Sequence, residues 1–179
     1  MIRKLTEYLD DKKVKYMLVS HPVSFTAQEI AQSAHISGEE IAKTVIVWMD
    51  GSMVMVVLPG SHMIDFVLLR SQCGARDIEL ANELEFMDRF PECEIGAMPP
   101  FGNLFNMKVF AASSLRERPE IVFNAGSHRE MVSMAYEDFE RLVNPVVISF
   151  SFRRKAHEED IPTTPLWERN GPAGRRIGS

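Results

Sequence analysis

The stretch Gly38-Glu39-Glu40-Ile41-Ala42-Lys43-Thr44-Val45-Ile46-Val47-Trp48-Met49-Asp50-Gly51, continued by Met53-Val54-Met55-Val56-Val57-Leu58, decides how the chain folds. Ser37 followed three residues later by Glu40 is a capping-box pattern and predicts one helical turn ahead of the strand. Asp50-Gly51 between two apolar runs is a strong short-range hairpin signal, because both residues tolerate the positive φ of a type I′ turn. Val45, Val47 and Met49 fall on one face of the first strand and Ile46 and Trp48 on the other. A strand apolar on both faces is buried on both sides, so this one belongs inside a sheet. Lys43 stands at its mouth, opposite Leu58 if the turn has two residues.

Outward from that hairpin, the rest reads as alternating short elements. Ile2, Leu5 and Leu9 at helical spacing predict an amphipathic helix over 2–13. Tyr16 to Val19 is a strand ending at Ser20-His21-Pro22, and Thr26-Ala27-Gln28-Glu29 opens a short helix. Beyond Pro59-Gly60, Ser61 is expected to cap a helix from His62 to Gln72, burying Ile64, Val67 and Leu68 and stopping at Gly74. A further helix is expected over Ala81–Phe90, burying Leu84 and Met87. Gly96-Ala97-Met98-Pro99-Pro100-Phe101-Gly102 is too rich in Gly and Pro for regular structure. Strands follow at Lys108–Ala112, Glu120–Asn124 and Glu130–Met134, with a turn at Ala125-Gly126-Ser127-His128. A helix over Tyr136–Leu142 and a strand over Val146–Phe150 close the domain. The class is α+β with a mixed sheet.

The totals agree with one domain: 179 residues, 45% of them hydrophobic. No apolar run approaches the roughly 18 residues of a membrane span, and the first residues do not read as a signal peptide. The two cysteines, Cys73 and Cys93, lack metal-site spacing and read as reduced thiols of a cytoplasmic protein. A formal charge of −5 excludes a large phosphate-tracking surface but not a cleft for a short nucleic-acid end. From Arg153 a charge run and then Pro162, Pro165, Gly171, Pro172 and Gly174 mark a polar tail over 153–179, which sets the domain at 1–152. Arg153, Arg154, Lys155, Arg175 and Arg176 give that tail a basic character suited to non-specific contact with nucleic acid.

Three places carry candidate chemistry. An isolated strand-end lysine is ordinarily solvated, but Lys43 begins a buried strand, faces Leu58, and has Pro59-Gly60 beside it. Such a lysine either titrates low through desolvation or stays charged and grips an oxygen. The Gly96–Gly102 loop is either a surface connection or a pocket wall whose glycines aim backbone N–H groups inward. At Asn124–His128, Gly126 permits close approach to the backbone, and His128 is more often a satisfied turn histidine than a base. Neither HxxxH nor HExxH occurs, nor a GxSxG elbow, a P-loop or a GxGxxG fingerprint, so no metal or cofactor is expected.

In this order, Ala42-Lys43-Thr44, Asp50-Gly51, the strand to Leu58-Pro59, Gly96-x-x-x-Pro100, Phe123-Asn124-Ala125-Gly126 and Asp138-Phe139-Glu140-Arg141-Leu142 resemble the YbaK/ProX family of aminoacyl-tRNA deacylases, over essentially residues 1–150. That family includes the editing domain inserted in bacterial-type prolyl-tRNA synthetases; lacking synthetase domains, this chain is similar to its freestanding members. The resemblance implies a partly barrel-like mixed sheet ringed by helices. It also implies hydrolysis of the ester between a small amino acid (Ala, Cys, Ser or Thr) and the tRNA 3′ end. Lys43 then matches the functional lysine, and Thr44 follows it in the same motif. Gly96 and Pro100 match the loop that meets the aminoacyl carbonyl, Asn124 and Gly126 another wall, and Phe25 and His128 residues that shape the amino-acid pocket. Members often carry an acid near Ser113, which this chain lacks. Implied partners are the tRNA acceptor end and a synthetase, with neither DNA nor membrane; a non-catalytic binding module of the same fold, or a purely structural domain, is the competing expectation.

Overall fold

The computed structural model of the chain describes residues 1–20 and 36–153. The expected helix at Thr26–Glu29, the pocket residue Phe25 and the tail beyond Arg153 lie outside them. Helix α1 (Arg3–Asp11) is followed by strands β1 (Tyr16–Ser20), β2 (Ala42–Met49), β3 (Ser52–Pro59) and β4 (His62–Ile64). Next come α2 (Phe66–Cys73), β5 (Ile78–Leu80), α3 (Glu83–Phe86), β6 (Val109–Ala112), β7 (Glu120–Ser127) and β8 (Glu130–Ala135). Helix α4 (Tyr136–Val143), β9 (Val146–Ile148) and β10 (Ser151–Arg153) complete the described chain.

Three sheets form: β5-β2-β3-β6-β9, β1-β8-β7, and the pair β10-β4. β3 to β6 and β6 to β9 are parallel and the other pairings antiparallel, so the class is α+β as expected. A single parallel bridge, Ile41 to Val122, joins the five-stranded sheet to the three-stranded one, and the sheet does not close into a full barrel.

The β2–β3 hairpin forms in the expected register, with Lys43 opposite Leu58. Asp50 and Gly51 take φ of 48° and 80°, the signs a type I′ turn needs. Asp50 does more than turn the chain, because its carboxylate accepts from the Arg76 and Asp77 amides, each at 2.9 Å. Both faces of β2 are apolar, as read. Ala42 and Ile46 enter the main core with Met55, Val57, Phe101, Phe123 and Phe139. Val47 enters a second core with Val54, Val56, Leu58, Leu69, Phe110 and Phe150. At full burial each such side chain contributes about 1.5–3 kcal/mol of transfer free energy. The hairpin anchors two cores at once.

Several expectations fail for one reason: local pattern was overruled by pairing. His62 does not start a helix. Residues 62–64 run extended against β10, and α2 begins only at Phe66, capped by Asp65 at 2.9 Å from the Leu68 amide. The helix face rotates accordingly, leaving Val67 70% exposed and burying Leu69. The Ala81–Phe90 helix shortens to α3, which Asn82 and Glu85 cap reciprocally, plus a 3-10 turn over Met87–Arg89. Phe86 is its buried residue, while Leu84 is 82% exposed. Ser37–Glu40 makes a hydrogen-bonded turn. β7 runs through Ala125 and Gly126 to Ser127, with a bulge after Asn124, so the turn falls at His128-Arg129. Arg153, read as the start of the tail, pairs with His62.

Candidate active site

Alternation along β2 sets the geometry around Lys43. Residues 41, 43, 45 and 47 share a face, and so do 42, 44 and 46. Lys43 therefore stands with Ile41, Val45 and the opposed Leu58, at the end of the second core. Its ammonium donates to the carbonyl oxygens of Gly60, at 3.4 Å, and of His62. The segment after Pro59 thus does not open space beside the lysine, as expected from its glycine; it folds back and holds the ammonium. Hydrogen bonds from a charged donor are worth about 1.5–3 kcal/mol each, so the side chain has a defined direction. Lys43 is a placed cation.

Thr44 lies on the opposite face, with Ala42 and Ile46 toward the main core. Its hydroxyl is buried and has no hydrogen-bond partner among the described residues. It does not line the same side of the strand as Lys43.

From the Ile41–Val122 bridge, β2 and β7 run the same way. Two residues beyond it come Lys43 on one strand and Asn124 on the other, on the face carrying Ile41, Val122 and Met131. Asn124 Oδ1 is buried without a hydrogen-bond partner among the described residues. A buried carbonyl oxygen left without a donor costs about 1–3 kcal/mol.

A second cluster forms where the Gly96 loop meets the end of β7. Glu94 N donates to Gly126 O at 2.9 Å and Gly126 N to Ala97 O at 3.0 Å. The His128 amide donates to Glu94 Oε2 at 2.8 Å. His128 Nε2 lies 2.7 Å from Ile95 O, and because a carbonyl only accepts, that nitrogen carries its proton. The imidazole is 7% exposed, and a general-base role at Nε2 is blocked by this bond. Gly96, at φ 83°, packs its α-carbon against the same ring: a β-carbon there would sit 3.4 Å from His128 Cε1. Ala97 to Gly102, Pro100 included, are buried, with Met98 and Phe101 in the main core, so the loop is not a surface connection. The Ala97 N–H, however, turns back to Glu94 O at 3.0 Å.

Gly126 needs correcting. Its open side, expected to admit a ligand, is filled by the chain itself. A β-carbon there would lie 2.2 Å from Ile2 Cγ2, and Ile2 N donates to Ala125 O at 2.8 Å. The structure brings Gly96, Gly126 and His128 together, places Lys43 with Asn124 across the bridge, and leaves Thr44 on the other face.

Sequence reasoning missed the groups around the lysine. Ser61 Oγ donates to Glu39 Oε1 at 2.6 Å, Glu39 Oε2 lies 3.2 Å from His62 Nε2, and His62 Nδ1 is 2.9 Å from Ser151 Oγ. Burial pushes the Glu39 carboxyl up. The Ser61 hydroxyl together with His62, Arg153 and Arg118 outweighs that and holds it below its ordinary value. Separations of 22 and 89 residues carry no local signal. Among the described residues no three His, Cys, Asp or Glu side chains gather as a metal site. No helix there is long and apolar enough to cross a membrane. A hollow of about 340 Å³ lies elsewhere, between α1 and Glu92, with Arg3, Lys4 and Phe105 on its walls.

Residues 21–142 match the family described as Aminoacyl-tRNA editing domain. Among curated proteins, the chain is 26% identical over 153 residues to the Multifunctional Ser/Thr-tRNA deacylase ProXp-y of Escherichia coli (strain K12), covering 83% of this chain and 91% of that one. It is 32% identical over 103 residues to Proline--tRNA ligase of Staphylococcus aureus (strain Newman), covering 56% of this chain but 17% of the ligase. Among solved structures, hypothetical protein APE2540 superposes with a TM-score of 0.76 at 21% identity, over 84% of this chain and all of that one (100%). A candidate trans-editing enzyme for prolyl tRNA synthetase superposes with a TM-score of 0.72 at 19% identity, over 86% and 96%. With the family's match spanning most of the chain and the same fold in these neighbours, this chain belongs to the aminoacyl-tRNA editing domain family.

Proposed function

We propose that the chain hydrolyses the ester linking a small amino acid to the 3′ end of a mischarged tRNA, with Lys43 as the cation that positions that end. One observation carries the reading. The Lys43 ammonium is fixed in direction by the Gly60 and His62 carbonyls, and two residues past the Ile41–Val122 bridge on the other strand Asn124 Oδ1 is buried without a hydrogen-bond partner among the described residues. A lysine so held is a point charge fixed in place, and a charge already in place needs no reorganisation in the transition state.

In the reaction, water attacks the ester carbonyl carbon and negative charge gathers on the carbonyl oxygen. The bond to the ribose oxygen then breaks, and that oxygen leaves as a hydroxyl while the amino acid departs as its carboxylate. An aminoacyl ester is already activated, so no protein nucleophile is required. The neighbouring ribose hydroxyl is available to orient the water. Gly96 to Pro100 supply a stiff wall for the aminoacyl end, buried from Ala97 onward. Gly126 and His128 act by holding that wall, through Glu94 and Ile95, and not by touching the substrate.

Substrate choice comes from pocket size, since one methylene is worth only ~1–3 kcal/mol. Alanine, cysteine, serine and threonine esters form the class. The similarity to a Ser/Thr-tRNA deacylase of Escherichia coli supports testing seryl and threonyl esters first. The partial match to Proline--tRNA ligases suggests a synthetase as the partner that releases the mischarged tRNA. The test is a panel of tRNAs charged with these four amino acids, incubated with wild type and Lys43→Ala. Hydrolysis of at least one ester, slowed by the substitution, supports the reading. Saturable binding of a non-hydrolysable analogue with no turnover of any ester replaces it with a binding module, the reading suited to the lack of the acid that the family resemblance leads one to expect near Ser113.

A further inference from the structure

A carbonyl is placed only as well as the backbone that carries it, and Lys43 is held by two carbonyls. The Gly60–His62 backbone is tied on three sides. Gly60 N donates to Ile41 O at 2.7 Å and Ser61 N to Gly38 O at 3.2 Å, which fasten the turn to the start of β2. Glu39 then spans the turn, with Ser61 Oγ on one carboxylate oxygen and His62 Nε2 on the other. Ser151, on β10, takes the far nitrogen of the same ring, and Arg153 Nε lies 3.5 Å from Glu39 Oε1. The two central side chains are 16% and 11% exposed, Glu39 and His62 respectively, so water does not substitute freely for a lost partner.

We infer that Glu39 and His62 are positioning residues for Lys43. The carboxylate–imidazole pair fixes the Gly60 and His62 carbonyl oxygens and, through them, the direction of the ammonium. Neither residue touches substrate. The inference rests on the proposed role of Lys43 at the aminoacylated end. It gives a reason for a largely covered carboxylate at a place where the core gains nothing from it: covering a charge costs desolvation and returns a backbone held to the fraction of an ångström that a positioned cation needs.

The order hydroxyl, imidazole, carboxylate in Ser151, His62 and Glu39 is also that of a nucleophilic relay, so the test separates the two. Single-turnover deacylation of seryl- and alanyl-tRNA by the full chain is measured for wild type, Lys43→Ala, Glu39→Gln, His62→Gln, Ser151→Ala and the double variant Glu39→Gln/Lys43→Ala. Positioning predicts that Glu39→Gln lowers kcat about tenfold with KM within about twofold. It predicts that the double variant is no more than about twofold slower than Lys43→Ala, because the two act through one cation, and that Ser151→Ala costs under about threefold. Losses that multiply in the double variant overturn the inference. So does a Ser151→Ala variant without turnover, which assigns Ser151 as nucleophile.

A second readout does not depend on activity. The side-chain ammonium resonance of Lys43, followed by nitrogen-15 NMR, should shift in Glu39→Gln and His62→Gln while backbone amides of α1 and α4 stay in place. An unchanged Lys43 resonance overturns the inference whatever the kinetics show. If it shifts but Lys43→Ala keeps the wild-type rate, the proposed function of Lys43 fails and the positioning network stands. Should Glu39→Gln melt early, His62→Gln, which keeps a hydrogen-bonding side chain, carries the same comparison.

Discussion

Around Lys43 the backbone is held by side chains: a carboxylate, an imidazole and two hydroxyls fix a turn so that two carbonyls face an ammonium. Around Gly96 and Gly126 the order is reversed, and the backbone is laced to backbone through Glu94, Ala97 and Gly126 while one buried imidazole is wedged beside it. The first region is sensitive to charge and the second to volume. A cation must be aimed, which requires electrostatic partners; a wall must merely not move, which packing and glycine conformations achieve. The two regions should therefore fail differently.

The largest expected effect is the loss of the cation. Lys43→Ala should lower kcat/KM for the best ester by about 10²–10³-fold, the range seen when a single preorganised donor is removed, with the thermal midpoint lowered as well because the Gly60 and His62 carbonyls lose a charged donor. A deacylation assay beside a melting curve checks both. Equal rates in mutant and wild type would erase the contrast between the regions.

Next comes Gly126→Ala, which should act in the opposite sense, with stability lost first. The new β-carbon meets Ile2 Cγ2 at 2.2 Å, and φ is 104°. Overpacking and strain together should cost about 2–4 kcal/mol in chemical denaturation. Shortening Ile2 in the same chain should recover the steric part and leave the conformational part. Gly96→Ala should be milder, about 1–2 kcal/mol, because its β-carbon meets His128 Cε1 at an ordinary 3.4 Å and only φ 83° is at issue.

Acid sharpens the charge-sensitive side. The Glu39 carboxyl titrates below its ordinary 4.5 in the folded chain, so its contribution is whole above that value and disappears as pH falls through the lower folded one. Melting midpoints of wild type and Glu39→Gln should differ by a constant amount from neutral pH down to about 4.5 and converge below it. A difference that persists undiminished in acid would show that the carboxylate charge is not what holds the turn. The smallest effect concerns Cys93, in the wall's approach. Burial, with Glu92 beside it, pushes its thiol up to about 11. At pH 8, alkylation of Cys93 in the native chain should be far slower than in denaturant, followed by mass spectrometry.

Legibility in the sequence followed the range of the interactions. The hairpin was readable because Asp50-Gly51 needs only local backbone angles and the alternation of Val45 to Met49 is a local pattern. Gly74 was readable as a helix stop for the same reason, and takes φ 70°. His62 was not: its residue type and the serine before it suit a helix start, and only pairing with Arg153 makes it a strand residue. Leu84 fits helical periodicity and is nonetheless exposed, since α3 ends before a second turn could bury it. For the site, Lys43, Asn124 and the Gly96–Pro100 loop were singled out as candidates from their setting and order. Thr44 was placed beside Lys43 in sequence and comes out on the other face, as strand alternation requires.

By itself, then, the sequence determined the β2–β3 hairpin, its two apolar faces, the lysine at its mouth and the α+β class, because each depends on angles and periods spanning a few residues. Only the tertiary structure decided what that lysine is bonded to, that Ile2 occupies the space beside Gly126, and that Glu39, His62 and Ser151 meet. Those contacts join residues 17 to 124 positions apart, and no local preference encodes them. They form only when burial of two cores brings distant strands to one place.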